Sequence, residues 1–182
     1  MERLHTYENF LTIEECESIL KKCITELELK PGLVGSNDVN ARKSSVAFID
    51  NIDIIDDKLT EYLRNLIRVK GFEVTGLGPY QFTEYKTGEY YDWHTDSMKN
   101  GESKNRFVSI VIQLNDKYEG GYLQIKDESG DNTIQLDKGI GRMYIFFSNL
   151  RHRVMKVTSG TRYSLVNWVS LKKIEDFKNT LI

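Results

Sequence analysis

The sequence predicts an α+β fold: a double-stranded β-helix (jelly-roll) core with the N-terminal helices packed outside it. Three observations carry this expectation. Two amphipathic helical patterns precede residue 77; short runs of Val, Ile, Tyr and Phe broken by Gly, Asp and Asn follow it. The 182 residues, 40% of them hydrophobic, suit one core rather than two. No repeat, linker or low-complexity stretch interrupts the chain. The expected organisation is therefore one domain over 1–182, with helical support in 1–76, the jelly-roll core in 77–171 and a C-terminal tail in 172–182.

The first helix begins in "FLTIEECESIL", where Thr12 and Glu15 have the spacing of a capping box. Ile13, Cys16, Leu20, Cys23 and Leu27 then recur on one helical face. Pro31, Gly32 and Gly35 in "KPGLVGSNDVN" break it. A short strand is expected around "SSVAFID", then a second helix in "DIIDDKLTEYLRNLIRVKG" with Ile55, Leu59, Leu63, Leu66 and Ile67 inward and Gly71 as its stop. Eight strands are expected near 79–85, 89–95, 106–114, 121–126, 133–136, 141–147, 152–157 and 161–170, with a turn at Ser159-Gly160. "KKIEDFKNTLI" reads as a short terminal helix, and the start of the chain, with His5, as unstructured.

Composition excludes several function classes. Lys and Arg number 25 against 27 Asp and Glu, so nothing in the charge favours nucleic acid or an anionic membrane as partner. No run of about 18 apolar residues occurs, and "MERLHTYENF" has charges where a signal peptide needs an apolar stretch, so a soluble, cytoplasmic protein is expected. Cys16 and Cys23 are two helical turns apart, about 10 Å, which is beyond disulfide reach; buried thiols are expected.

Chemistry gathers in "EYYDWHTDS", residues 89–97. His94 and Asp96 alone are a weak signal. His152, opening a strand 58 residues downstream, supplies a third donor if a rolled sheet brings the two strands together. Two imidazoles and one carboxylate on one face of an octahedron suit non-haem Fe(II), although a tetrahedral zinc site uses a similar set. Arg162 lies ten residues past His152 and shares strand parity with Ser164, Val166 and Trp168. An arginine turned into a barrel calls for a carboxylate, which its planar fork holds in two places.

These stretches together resemble the 2-oxoglutarate and Fe(II)-dependent dioxygenases, within them the prolyl 4-hydroxylase-like branch that includes the bacterial PKHD-type hydroxylases. "YKTGEYYDWHTD" is similar to that branch's Y-x-x-G-x-x-Y-x-x-H-x-D, "LNDKYEGGYLQI" to its Gly-Gly strand, and "HRVMKVTSGTRYSLVNW" to its H-x-V-x-x-V-x-x-G-x-R-x-S-x-x-x-W ending. "FLTIEECESIL" resembles its first helix. The resemblance implies that His94, Asp96 and His152 bind Fe(II) and that Arg162 holds the far carboxylate of 2-oxoglutarate. Tyr85, Gln113 and Ser164 are expected beside that cosubstrate, and Trp168, Tyr91 and Arg42 on the substrate side. Gln113 departs from the pattern, standing where several prolyl hydroxylases have a tyrosine. The implied cofactors are Fe(II), 2-oxoglutarate and dioxygen, with ascorbate as accessory reductant. The implied reaction hydroxylates an unactivated C–H bond, first of all in a peptidyl prolyl residue, with a free amino acid or small metabolite as the alternative.

Neighbouring residues have plainer readings. Tyr85, Tyr90, Tyr91 and Trp93 also suit core or rim packing, Asp92 a solvated turn, Arg151 and Arg153 the outer face. Lys156 has inward parity at a strand end, and Gly120-Gly121 suits a tight turn. Arg42–Ser45 and 97–106 are candidate lids. Among rival functions, a non-catalytic jelly-roll ligand-binding module would need no metal triad. A nucleic-acid demethylase would carry a second arginine where Trp168 stands. A zinc hydrolase leaves Arg162 without a task.

Overall fold

The computed structural model describes residues 4–33, 40–68, 72–97, 106–127 and 129–173. Its elements run β1 (Leu4–Tyr7), α1 (Ile13–Glu26), β2 (Lys30–Pro31), β3 (Arg42–Lys43), β4 (Ser45–Ile49) and α2 (Asp53–Arg68). There follow β5 (Phe72–Leu77), β6 (Tyr80–Lys86), β7 (Tyr90–His94), β8 (Val108–Gln113), β9 (Tyr118–Gly120) and β10 (Leu123–Lys126). Last come β11 (Thr133–Gln135), β12 (Met143–Phe147), β13 (His152–Val154) and β14 (Val157–Lys173). Among the described residues no helix is long and apolar enough to cross a membrane.

Among the described residues every strand pair is antiparallel, and the strands form two sheets. The larger has the order β1-β12-β8-β14-β6-β4-β2, with β5 and β9 also on β14; the smaller is β11-β10-β13-β7-β3. Helix α1 starts as its sequence dictates. Thr12 Oγ1 accepts from Glu15 N at 3.2 Å, and Glu15 Oε2 accepts from Thr12 N at 2.9 Å. Glu15 also receives Lys58 Nζ of α2 at 2.7 Å, joining the two helices. Cys16, Ile19 and Cys23 of α1 and Ile55, Leu59 and Leu63 of α2 share one apolar cluster with Phe82, Ile110, Ile112, Leu165 and Val169 of the larger sheet. Both cysteines are free and buried. The side chains of Leu66 and Ile67, and Gly71, lie outside the described residues.

Four expectations change. His5 is not in an unstructured start: β1 pairs with β12, His5 opposite Ile145. Strands β2, β3, β5 and β9 join the eight expected, so much of 1–76 is sheet as well as helix. Strands of two to four residues are too short to show a periodicity. There is no chain-reversing turn at Ser159-Gly160. Gly160, with φ +78°, bends one long strand whose first part pairs with β9 and whose later part lies between β6 and β8. A Cβ there would press within 3.0 Å of Lys117 O, and the left-handed backbone adds strain, so glycine keeps the bend tight. Finally, Lys172 and Lys173 complete β14; the rest of the expected terminal helix lies outside the described residues.

Candidate active site

Between the sheets lies a cavity of about 230 Å³. At one end the smaller sheet presents three donors. In its register His94 of β7 stands directly opposite His152 of β13, and Asp96 follows two residues past the end of β7. One ligand atom from each lies within 4.8 Å of the others. His94 Nε2 is 3.6 Å from Asp96 Oδ1, and His152 Nε2 is 3.4 Å from Asp96 Oδ2.

Both imidazoles are oriented from behind. His94 Nδ1 donates to the Asp92 carbonyl at 2.7 Å and His152 Nδ1 to the Leu150 carbonyl at 2.9 Å, which leaves each Nε2 bare and pointing at the carboxylate. Tyr91 stacks on His94 at 3.5 Å, and Phe146 meets the His152 ring edge-on at 4.8 Å. Asp96 is held by two serines that sequence reasoning missed. Ser109 Oγ of β8 donates to Asp96 Oδ2 at 2.7 Å and lies 2.8 Å from Ser148 Oγ; Ser148 O accepts from Asp96 N at 2.9 Å. Polar Ser109 inside the apolar run "VSIVI" was the available signal.

The electrostatics suit a cation. Burial, helped by the neighbouring His152, pushes His94 down to about 4, so it is neutral. Burial favours the neutral form of Asp96 too, yet the charge and hydrogen bond of His152 win and hold the carboxyl below its usual range. Against the same desolvation, Asp96 holds His152 above its usual range. The point where the three donors converge thus favours positive charge, which a divalent metal would supply. The donor set and the orienting carbonyls fit Fe(II).

Deeper along the wall, β14 turns Arg162, Ser164, Val166 and Trp168 into the cavity, in the expected parity. Arg162 is 1% exposed. Its Nη1 donates to Ser164 Oγ at 2.9 Å, while Nε and Nη2 have no partner among the described residues. Each such buried donor costs roughly 1–3 kcal/mol, more when charged, so the fork is open to an anionic acceptor such as a carboxylate. Tyr85, paired with Arg162 across β6, lies beneath the guanidinium at 5.4 Å. Gly120 and Gly121 do more than turn. A Cβ on Gly121 would come within 2.9 Å of Val157, 3.0 Å of the Tyr118 ring and 3.3 Å of Arg162 Cδ.

The remaining sequence-predicted residues divide. Tyr91 and Arg42 line the cavity, Arg42 stacked over Tyr91 at 4.6 Å. Gln113 is buried but does not line it; its Oε1 accepts from the Tyr118 hydroxyl at 3.0 Å. Tyr118 was missed, as was Arg106, which lines the cavity and stacks on Trp168 at 3.7 Å. Tyr90 and Trp93 do not line the cavity. Tyr90 donates to Asn40 O, and Trp93 lies under Arg153 at 4.7 Å. The carboxylate of Asp92 accepts from Trp93 N; only its main-chain carbonyl serves the histidine. Arg151 and Lys156 are exposed. Of the two candidate lids, 98–105 lies outside the described residues, and Arg42–Ser45 spans β3 and the start of β4.

A metal triad and a buried, carboxylate-less arginine in a cavity between antiparallel sheets define a class, and the chain belongs to it: residues 80–170 match the 2OG-Fe(II) oxygenase superfamily. Membership implies Fe(II), 2-oxoglutarate and dioxygen. Within that superfamily the chain is similar to the PKHD-type hydroxylases IL0759 of Idiomarina loihiensis, 35% identical over 99 residues, and PsycPRwf_1523 of a Psychrobacter species, 38% over 98. Those matches cover 53% and 50% of this chain but only 44% and 37% of the relatives, so the chain spans less than half of their length. Among solved structures it resembles a Pseudomonas putida prolyl-4-hydroxylase (TM-score 0.73, 22% identity, 92% of each chain covered). It also resembles a Trichoplax adhaerens prolyl hydroxylase in complex with a hypoxia inducible factor peptide (TM-score 0.80, 20% identity, 93% of this chain and 84% of that one). At these identities the two likenesses speak for the fold.

Proposed function

We propose that the chain is a 2-oxoglutarate- and Fe(II)-dependent hydroxylase acting on a peptidyl prolyl residue. The observation that carries this reading is the joint presence, in one cavity, of the His94-Asp96-His152 triad and the unpaired fork of Arg162. Similarity to PKHD-type hydroxylases and to a prolyl hydroxylase with bound peptide supports the choice of substrate. Residues 1–182 are read as one dioxygenase domain whose sheets form a double-stranded β-helix, with α1 and α2 outside it. Its proposed setting is the cytoplasm.

His94, Asp96 and His152 would hold Fe(II) by one face and leave the other open. Arg162 and Ser164 would take the far carboxylate of 2-oxoglutarate, with Tyr85 closing the wall behind it. Tyr91, Trp168 and Arg42 would face the substrate. Bound iron and 2-oxoglutarate would supply the oxidising chemistry, in which 2-oxoglutarate and dioxygen become succinate and carbon dioxide and one oxygen atom passes to the substrate carbon as hydroxyl. The protein's own work is to orient these partners and exclude water. No general base or covalent nucleophile is required.

Anaerobic titration of metal-free protein with Fe(II), then 2-oxoglutarate, tests the site. A weak visible charge-transfer band is expected in the wild type and not in Asp96→Ala or His152→Ala. Its absence from folded, iron-loaded wild type would sink the reading. Succinate formed in air with proline peptides, against free proline and other amino acids, separates the peptidyl substrate from the small-metabolite alternative.

A further inference from the structure

Resting on the proposed cosubstrate site, we propose that Arg42 and Arg106 form a cationic mouth that selects a substrate bearing a carboxylate near the group to be hydroxylated. The charge balance of the cavity comes first. Among its described lining residues the charged side chains are Arg42, Asp96, Arg106 and Arg162. A ferrous dication, the 2-oxoglutarate dianion, Asp96 and Arg162 sum to zero. The two other guanidinium groups are left uncompensated, and neither makes an ion pair among the described residues.

Both are oriented by their surroundings. Arg42 Nε donates to Ser44 Oγ at 2.7 Å and the group lies over Tyr91, which itself stacks on the metal ligand His94. Gly32 leaves room for it, since a Cβ there would come within 2.6 Å of both Arg42 Nε and Ser44 Oγ. The guanidinium carbon of Arg106 lies over the Trp168 ring, 3.7 Å from its centroid. Stacking occupies a guanidinium's face and leaves its in-plane N–H groups for a planar acceptor.

Unmet donors point the same way. Apart from Arg162, the buried side-chain donors without a partner on the cavity wall are Arg42 Nη2 and Trp168 Nε1. Each calls for an acceptor. Beyond them the mouth is apolar, with Leu33 84% and Phe48 55% exposed. The combination fits a carboxylate carried on a partly apolar chain, either an acidic residue beside the target in a peptide or a free amino-dicarboxylic acid.

Anaerobic calorimetry on the Fe(II)- and 2-oxoglutarate-loaded protein tests this. The probes are capped tripeptides with glutamate or glutamine beside one proline, and free L-glutamate and L-aspartate. The expected result is about tenfold tighter binding of an acidic probe than of its amide counterpart, a preference that shrinks with added salt. Arg42→Gln with Arg106→Gln should abolish the preference, and Arg42→Lys with Arg106→Lys should keep most of it. Whether peptide or free acid shows the preference identifies the source. Equal binding of acidic and amide probes, no binding of any probe, or a preference that survives the double Gln variant would overturn the proposal. The visible band in the same samples reports on the cosubstrate site separately. Should the Gln variant lose that band as well, the comparison passes to the single variants Arg42→Gln and Arg106→Gln on the same criteria.

Discussion

The two faces of strand β14 do opposite work. On the helix side Leu165 and Val169, with Tyr163 and Leu171 alongside, pack into the cluster that holds Cys16, Leu59 and Phe82. On the cavity side Arg162 and Trp168, two and eight residues from Gly160, carry buried donors with nothing to bond. One face gains stability by removing apolar surface from water; the other keeps polar groups unmet until ligands arrive. Side-chain alternation with a period of two keeps the roles apart within a single strand.

Removing the arginine is the strongest way to break that division. Arg162→Ala should raise the 2-oxoglutarate needed for half-saturation on the order of a hundredfold, since the far carboxylate loses its charged, hydrogen-bonded partner. Iron binding should persist, and the thermal midpoint of ligand-free protein should not fall, because an uncompensated buried charge has gone. Saturation curves and melting scans check both. A normal 2-oxoglutarate requirement would remove Arg162 from the cosubstrate site.

Three residues along, the other face gives the converse. Leu165 is 1% exposed and its truncation leaves a cavity, so Leu165→Ala should cost roughly 2–5 kcal/mol in denaturant unfolding. Half-saturation by 2-oxoglutarate should stay at its wild-type value below the melting range. A large change there would mean that the two faces are coupled through the strand.

The same alternation explains what was legible in the sequence. His94, Asp96 and His152 were readable because few donors were available, and Arg162 because parity carried it inward. Ser109 and Ser148 were not: they reach Asp96 only once β8 and the end of β12 are brought beside β7. Arg106 sits at the edge of a polar segment whose composition suggests only a loop, and its stacking on Trp168 is a product of tertiary structure. Gln113 shares parity with Ser109 and Val111, yet Tyr118 from β9, a three-residue strand without periodicity, occupies its amide oxygen.

Tyr118 sharpens the comparison at smaller scale. Burial pushes its phenol up and the Arg162 charge opposes this, while its hydroxyl donates to Gln113 Oε1. The task the resemblance gave to Gln113 would then pass through Tyr118. Tyr118→Phe and Gln113→Ala should each raise the 2-oxoglutarate requirement only about threefold to tenfold, as loss of one neutral hydrogen bond allows. The double variant should be no worse than the poorer single one. Additive losses in that cycle would show that the two side chains act independently.

The smallest effect is expected on the far side of the same sheet. Cys16 and Cys23 are fully buried on one face of α1, and burial pushes both thiols up to about 11. The thiolate is the reactive form, so at pH 8 neither should react with a thiol reagent in the folded protein, and both should once it is unfolded. Reactivity of the native protein should climb only as pH approaches the raised values. Cys16 Sγ lies 3.9 Å from the main-chain oxygen of Gln113, so Cys16→Ser probes the cavity strand from behind. It should lower stability by about 1 kcal/mol and leave turnover unchanged. Lost turnover in a folded Cys16→Ser protein would show that the helix face reaches through β8 into the site.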